Sequence, residues 1–141
     1  MENTNFYKEC LERDLKFGNT EEDKLITLFR ERFDKCLCKT NSYSVVDFIS
    51  PKTYLELKSR NCNHDRFNDI MIGENKIRFA EKTNRKVILV WNFQDGVYFY
   101  KFDKNDITNG NITFRMGGRT DRGKDERKMC AYVSKDLLEK L

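Results

Sequence analysis

The segment Lys86–Phe93 reads Lys-Val-Ile-Leu-Val-Trp-Asn-Phe and is the most hydrophobic run of the chain. A strand with one face in water alternates apolar and polar residues, whereas a nearly continuous apolar run is typical of a strand covered on both faces. The run therefore predicts a central strand with other elements packed on both sides of its sheet. Gln94-Asp95-Gly96 predicts a hairpin turn into a more peripheral strand over Val97–Phe102.

The spacing of apolar residues predicts the other elements of the fold. In chain order these are a short helix over Phe6–Phe17, a helix capped by Asn19 or Thr20, strands over Ser42–Phe48 and Thr53–Ser59, a helix over Glu74–Thr83, a strand over Asn111–Met116, and a strand with a short helix over Met129–Leu141. The order helix, strand, strand, helix, strand predicts an α/β sandwich in which a mixed sheet is flanked by helices, with the Glu74 helix crossing between two strands.

Length and composition limit the class of protein. A chain of 141 residues is long enough for one domain and too short for two, so we expect a single domain over residues 1–141. No apolar stretch approaches the roughly 20 residues of a membrane span, and the first residues lack the pattern of a secretory signal. Five cysteines at irregular spacing argue for reduced thiols. We expect a soluble intracellular protein, in the cytoplasm or the nucleus, that does not contact membranes.

Charged residues interrupt the two predicted strands on either side of Pro51. Asp47 lies near the end of the first strand, and Glu56 and Lys58 lie in the second. Burying an unpaired carboxylate or ammonium is costly, so charges within such a run indicate a use for them. A hairpin register that sets Asp47 opposite Glu56 would bring both carboxylates to one face, and Lys58 would point the same way.

Two carboxylates on rigid strands suit Mg²⁺, with Mn²⁺ as a substitute. Mg²⁺ takes one or two carboxylates, keeps several waters and binds phosphate oxygens of a substrate. A lysine beside the ion can orient the attacking water or stabilise charge on the phosphate. The pattern therefore indicates a metal-dependent phosphodiesterase with Asp47, Glu56 and Lys58 as catalytic residues. A surface strand whose Glu56 and Lys58 are simply solvated is the alternative.

Glu22 is a further candidate ligand. It falls on the same stripe as Leu25, Ile26 and Phe29 of its predicted helix, which places it toward the core side. A carboxylate in the first turn of a helix also serves as a capping residue. Both roles stay open for Glu22.

These residues resemble the motifs of the PD-(D/E)XK nuclease superfamily, which includes many restriction endonucleases and Holliday-junction resolvases. The pattern of that superfamily is an acid at the end of one strand, a (D/E)-x-K triplet on the next, and often a glutamate on the preceding helix. Asp47, Glu56 with Lys58, and Glu22 match it over roughly residues 18–102. The resemblance implies a restriction-endonuclease-like fold with an αβββαβ-type core, and a metal-dependent endonuclease acting on DNA.

The resemblance implies two further contacts and contains one departure. The backbone carbonyl of Leu57 would contact the metal, and Lys76 would be the basic residue of the following helix. Val46 stands where the first motif has its proline, which weakens the signature without touching a ligand.

A zinc site is the main alternative for the remaining metal-binding side chains. Cys36, Cys38, Cys62 and His64 offer four ligand types suited to tetrahedral zinc. One-residue spacers are less usual than two-residue spacers, and free cysteines are often simply buried. His64 is the only histidine, so a nuclease mechanism that needs two histidines is excluded.

A basic, glycine-containing segment lies between Arg115 and Lys128. We expect Arg119 and Arg122 in it to contact DNA phosphates without reading bases. A solvated charged loop is the alternative, and the substrate would then run along Arg60 and Lys76. The sequence leaves open whether a homodimer is needed to cut both strands. It also leaves open a second function, a nucleic-acid-binding or protein-interaction module that keeps the nuclease fold without catalysis.

Overall fold

The computed structural model describes residues 21–41, 43–118 and 127–141, with the side chains of Glu21 and Glu22 left out. The predicted helix over Phe6–Phe17 lies outside these residues. The described elements are α1 (Glu21–Arg32), β1 (Cys38–Lys39), β2 (Phe48–Ile49), β3 (Thr53–Ser59), β4 (Asp69–Gly73), α2 (Glu74–Lys82), β5 (Lys86–Phe93), β6 (Gly96–Lys101), α3 (Asn105–Thr108), β7 (Ile112–Gly117), β8 (Lys128–Ser134), a 3₁₀ turn (Lys135–Leu137) and β9 (Glu139–Lys140).

The strands form two sheets. The larger is mixed and has the order β1-β2-β3-β5-β6-β9, and the smaller has the order β4-β8-β7. In the larger sheet β3 and β5 are parallel, and α2 lies in the chain between them. The other pairs are antiparallel. The predicted crossover helix is confirmed.

Strand β5 is covered on both faces, as its apolar run predicted. Val87, Leu89 and Trp91 pack into one core with α2 and the smaller sheet. Ile88 and Val90 pack into a second core with α1. The molecule is thus an α/β sandwich, with a mixed sheet between α1 on one face and α2 with the three-stranded sheet on the other. Trp91 is fully buried.

The strand predicted over Ser42–Phe48 is wrong in extent. Only Phe48 and Ile49 pair with β3, and Cys38–Lys39 forms a short strand that the pattern did not predict. The reason is local hydrogen bonding, since the Asn41 side chain accepts from the backbone N–H of Tyr43 and the Ser44 hydroxyl accepts from that of Val46. Such bonds compete with a strand ladder.

A buried polar network fixes the turn between β2 and β3. One Asp34 oxygen accepts hydrogen bonds from the hydroxyls of Ser50 at 2.5 Å and Thr53 at 3.1 Å. The other accepts from the backbone N–H of Cys36 at 2.9 Å. The Ser50 hydroxyl in turn accepts from the backbone N–H of Thr53. The network therefore ties the segment after α1 to the hairpin.

Among the described residues, the cysteines Cys36, Cys38, Cys62 and Cys130 are reduced and form no disulfide bond. No helix in the described part of the chain has the length and apolar character needed to cross a membrane.

Candidate active site around Asp47 and Glu56

The alternation of β3 determines which face carries charge. Leu55 and Leu57 pack toward α1, whereas Tyr54 packs toward α2 and the smaller sheet. Successive side chains of a strand point to opposite faces, so Glu56 and Lys58 share the face of Tyr54. The charged residues of β3 therefore lie on the side covered by α2.

Asp47 lies directly before β2 and is held against β3. The observed register sets Phe48 opposite Leu55. The backbone N–H of Asp47 donates to the Leu55 carbonyl at 3.1 Å. Its Oδ2 accepts from the backbone N–H of Leu57 at 2.8 Å. Phe48 and Asp47 therefore both face Leu55, and the direct opposition of Asp47 and Glu56 expected from the sequence stays a prediction.

Glu56 is a buried carboxylate between two ammonium groups. The residue is only 2% exposed. Its Oε1 lies 3.3 Å from the Nζ of Lys58 and 3.3 Å from the Nζ of Lys76. Oε2 is buried and has no hydrogen-bond partner among the described residues. A buried oxygen without a partner costs free energy unless another group binds there.

Burial raises the pKa of the Glu56 carboxyl above its ordinary value, and the nearby negative charge of Asp47 raises it further. The positive charges of Lys76 and Lys58 oppose this pKa shift in part. A cation placed beside Glu56 would favour the charged form of its carboxyl. The electrostatics of the pair thus suit a bound cation.

The two lysines differ in exposure. The Lys58 side chain is 38% exposed, whereas the Lys76 side chain is 17% exposed. Lys76 projects from α2, and its ammonium also donates to the backbone carbonyl of Val45. Lys76 thus joins α2 to the segment before Asp47, and Lys58 faces the more open side. The sequence placed Lys76 among the DNA contacts, and the structure places it beside the carboxylate.

A cavity of about 290 Å³ adjoins these lysines. Its described lining contains four basic residues and no acidic one. The basic residues are Lys58, Arg60, Lys76 and Lys128. Gly73 and Asn75, at the start of α2, also line the cavity. Several cations around one concave surface favour an anionic ligand such as a phosphate.

The other predicted residues are placed as follows. Leu57 directs its backbone N–H toward Asp47, and the N–H and C=O of one strand residue point to the same edge, so its carbonyl faces that edge too. Arg60 donates to the Met71 carbonyl at 3.2 Å. The side chain of Glu22 and all of Arg119 and Arg122 lie outside the described residues.

The zinc ligands considered from the sequence are not brought together. Among the described residues, the one group of three or more metal-binding side chains is His64, Asp65 and Asp95, whose ligand atoms lie within 4.8 Å of one another. His64 Nδ1 lies 2.6 Å from Asp95 Oδ2. Cys36 and Cys38 do not belong to that group.

Sequence reasoning gave Lys128 no role beyond ending the basic segment. Its position on β8, opposite Gly117, brings it to the cavity. Only the packing of the smaller sheet against α2 decides this, so no local pattern could have indicated it. A local signal did exist for Lys76, which lies in the first turn of the helix after the Glu-x-Lys strand.

Comparison with known proteins gives one family. No curated protein and no solved structure matches the chain. The model of the family described as "Phage putative PDDEXK endonuclease" matches residues 22–139, from the second residue of α1 to the first residue of β9. The chain, with its restriction-endonuclease-like fold, therefore belongs to this PD-(D/E)XK endonuclease family.

Proposed function

We propose that the protein is a Mg²⁺-dependent DNA endonuclease that hydrolyses phosphodiester bonds at the cluster of Asp47, Glu56 and Lys58. One observation carries the proposal, the buried Glu56 carboxylate with an unpartnered oxygen beside Asp47. Membership of an endonuclease family supports the same conclusion. Mn²⁺ would substitute for Mg²⁺.

The donor set fits a hard divalent ion. Asp47 and Glu56 offer carboxylate oxygens, and Leu57 offers a backbone carbonyl at the same edge of β3. Oxygen ligands of this kind are those that Mg²⁺ and Mn²⁺ prefer. When bound, the ion supplies Lewis acidity toward the scissile phosphate. Glu22 would complete the ligand set from the start of α1.

The two lysines have separate roles in this proposal. Lys58 is partly exposed and lines the basic cavity, so its ammonium can orient the attacking water and neutralise charge on the phosphate. Lys76 is more buried and bonds the Val45 carbonyl, so it positions Glu56. We therefore count Lys58 as catalytic and Lys76 as a positioning residue.

The substrate would enter through the basic cavity. Lys58, Arg60 and Lys128 can bind phosphates on both sides of the cleaved bond. Arg119 and Arg122 would extend these contacts along the DNA.

Cleavage of supercoiled plasmid in Mg²⁺ or Mn²⁺ tests the proposal. We expect Glu56→Ala and Lys58→Ala to abolish cleavage. Glu81→Ala and Lys82→Ala are matched controls, because both residues are exposed on α2 and neither lines the cavity. The controls should cleave like the parent chain. Unchanged cleavage in both Glu56→Ala and Lys58→Ala would overturn the assignment.

The alternative is a module that binds DNA without cutting it. Calcium binds oxygen ligands as Mg²⁺ does, so a crystal soaked in calcium separates the two functions. Calcium between Asp47 and Glu56 supports the enzyme. Binding of DNA without cleavage, and without calcium at this pair, supports the module.

A further inference from the structure

A second cavity, of about 350 Å³, adjoins the basic one and differs from it in chemistry. Its lining is mainly apolar and aromatic. It includes Phe67, Phe93, Tyr132, Ile70, Met71 and Arg60. A cavity of this size with an apolar wall and a few polar groups is typical of a site for a small organic group. A bare phosphate would gain little from such walls.

Phe67 is unusual for a large apolar side chain because it is 57% exposed. It lies in the loop between β3 and β4 and lines the mouth of the pocket. The Arg66 guanidinium lies 5.6 Å from the centre of its ring. Proteins that bind single-stranded nucleic acids use exposed aromatic rings with cationic neighbours. The bases stack on the rings, and the phosphates lie near the cations.

Arg115, Asp69 and Tyr132 form a second part of the lining of this cavity. The Arg115 guanidinium lies 3.4 Å from the centre of the Tyr132 ring. Two hydrogen bonds to Asp69, of 2.9 and 3.0 Å, fix its orientation. Asp69 neutralises Arg115 in part, so Arg60 and Arg66 supply the remaining positive charge around the opening.

The two cavities are adjacent. Arg60 and Met71 line both of them. Lys58 lies in β3, and Arg60 directly follows the last residue of that strand. Two residues of extended chain span about 6.6 Å. A nucleotide that places its phosphate beside Lys58 therefore has its neighbour at Arg60, at the entrance of the apolar pocket.

We propose that the pocket lined by Phe67, Phe93 and Tyr132 binds an unpaired nucleobase of the DNA strand held at the carboxylate site. The preferred substrate is then DNA with an unpaired nucleotide beside the cleaved bond, as in a flap, a gap or a single-stranded end. A base inside a perfect duplex would have to be unstacked first, which costs a few kcal/mol. This inference rests on the proposed function and specifies its substrate.

Equilibrium binding without divalent metal tests the pocket, since it needs no cleavage. The probes are a perfect duplex and the same duplex with one unpaired 2-aminopurine, whose fluorescence falls when it stacks on an aromatic ring. We expect the native chain to bind the second probe about tenfold or more tightly and to quench its fluorescence. Phe67→Ala should lose at least about fivefold of this preference and the quenching, whereas Phe67→Trp should keep both.

Met116→Ala is the matched control, because Met116 is an exposed large side chain next to Arg115 that does not line the pocket. It should behave like the native chain. Equal affinity of the native chain for the two probes, or a Phe67→Ala variant with the full preference, would overturn the inference. Failure of the proposed function gives a different result, namely a chain that shows the preference but does not cleave DNA in Mg²⁺.

Discussion

The carboxylate of Asp47 accepts a hydrogen bond of 2.8 Å from the backbone N–H of Leu57. Strand β2 covers only Phe48 and Ile49, so beyond Leu55 the edge of β3 has no partner backbone from β2. The side chain of Asp47 accepts a hydrogen bond from the next backbone donor along that edge, the N–H of Leu57. One acid thus completes the strand pairing and is fixed beside Glu56 by the same contact.

Asp47→Asn and Asp47→Ala should separate these two roles. Asparagine keeps an oxygen that accepts from Leu57 but has no charge for a metal, so we expect near-native stability and no cleavage. Alanine also loses the hydrogen bond, and the free energy of unfolding should fall by about 1–3 kcal/mol. Urea unfolding and plasmid cleavage measure the two effects. An Asp47→Asn variant that cleaves at the native rate contradicts a metal-binding role.

Lys58→Met and Lys76→Met should differ in stability. Lys76 is the more buried partner of Glu56 and bonds the Val45 carbonyl, so its loss should cost about 2 kcal/mol or more. Lys58 is partly exposed, and its loss should cost about 1 kcal/mol or less. Lys58→Met should nevertheless lower the cleavage rate about 100-fold or more. A larger loss of stability in Lys58→Met than in Lys76→Met would refute this division.

Asp34 should make stability depend on pH. Burial opposes the charge of its carboxyl, but hydrogen bonds from Ser50, Cys36 and Thr53 outweigh burial and hold the pKa below its ordinary value. A carboxyl with a lowered pKa in the folded state stabilises the protein above its unfolded pKa, and this stabilisation is lost as the pH falls through the folded pKa. Asp34→Ala should therefore cost about 1–3 kcal/mol at pH 7, and the cost should shrink below about pH 4.

Thermal unfolding between pH 3 and pH 7 measures the effect of Asp34→Ala. Glu31→Ala is the control, since Glu31 is an exposed acid near the end of α1, three residues before Asp34. A difference between Asp34→Ala and the native chain that stays constant down to pH 3 would show that the charge of Asp34 is not involved.

Arg119 and Arg122 should contribute phosphate contacts. The double alanine variant should bind every DNA sequence more weakly, and the slope of log affinity against log salt should fall by about one to two units. Lys101→Ala with Lys104→Ala removes the same charge from β6 and the start of α3 and serves as the control. If both double variants keep the native salt slope, the DNA must follow Arg60 and Lys76 instead.

The parts of the fold that depend on neighbouring residues could be predicted from the sequence. The apolar run of β5 predicted a central strand, because a strand that is buried on both faces has apolar side chains at nearly every position. Pro51 indicated the turn between β2 and β3, and these two strands do pair as an antiparallel hairpin.

Contacts between distant segments could not be predicted in this way. The salt bridge between Lys76 and Glu56 depends on how α2 packs across β3, and the smaller sheet depends on β8 pairing with β4 over some 60 residues of chain. The pattern also overestimated the length of β2. The side chains of Asn41 and Ser44 accept hydrogen bonds from nearby backbone N–H groups, and these bonds compete with strand pairing.

Both Lys58 and Lys76 lie 3.3 Å from the same oxygen of Glu56. With Asp47, the formal charges of this cluster sum to zero. A divalent ion entering it would add two positive charges, and an anionic phosphodiester would balance one of them. Metal affinity and DNA affinity are then thermodynamically linked, and each ligand strengthens the other by the same factor. A nuclease with such a neutral cluster would bind its metal ion weakly in the absence of DNA. The ion would bind tightly only when the DNA phosphate is also in the site.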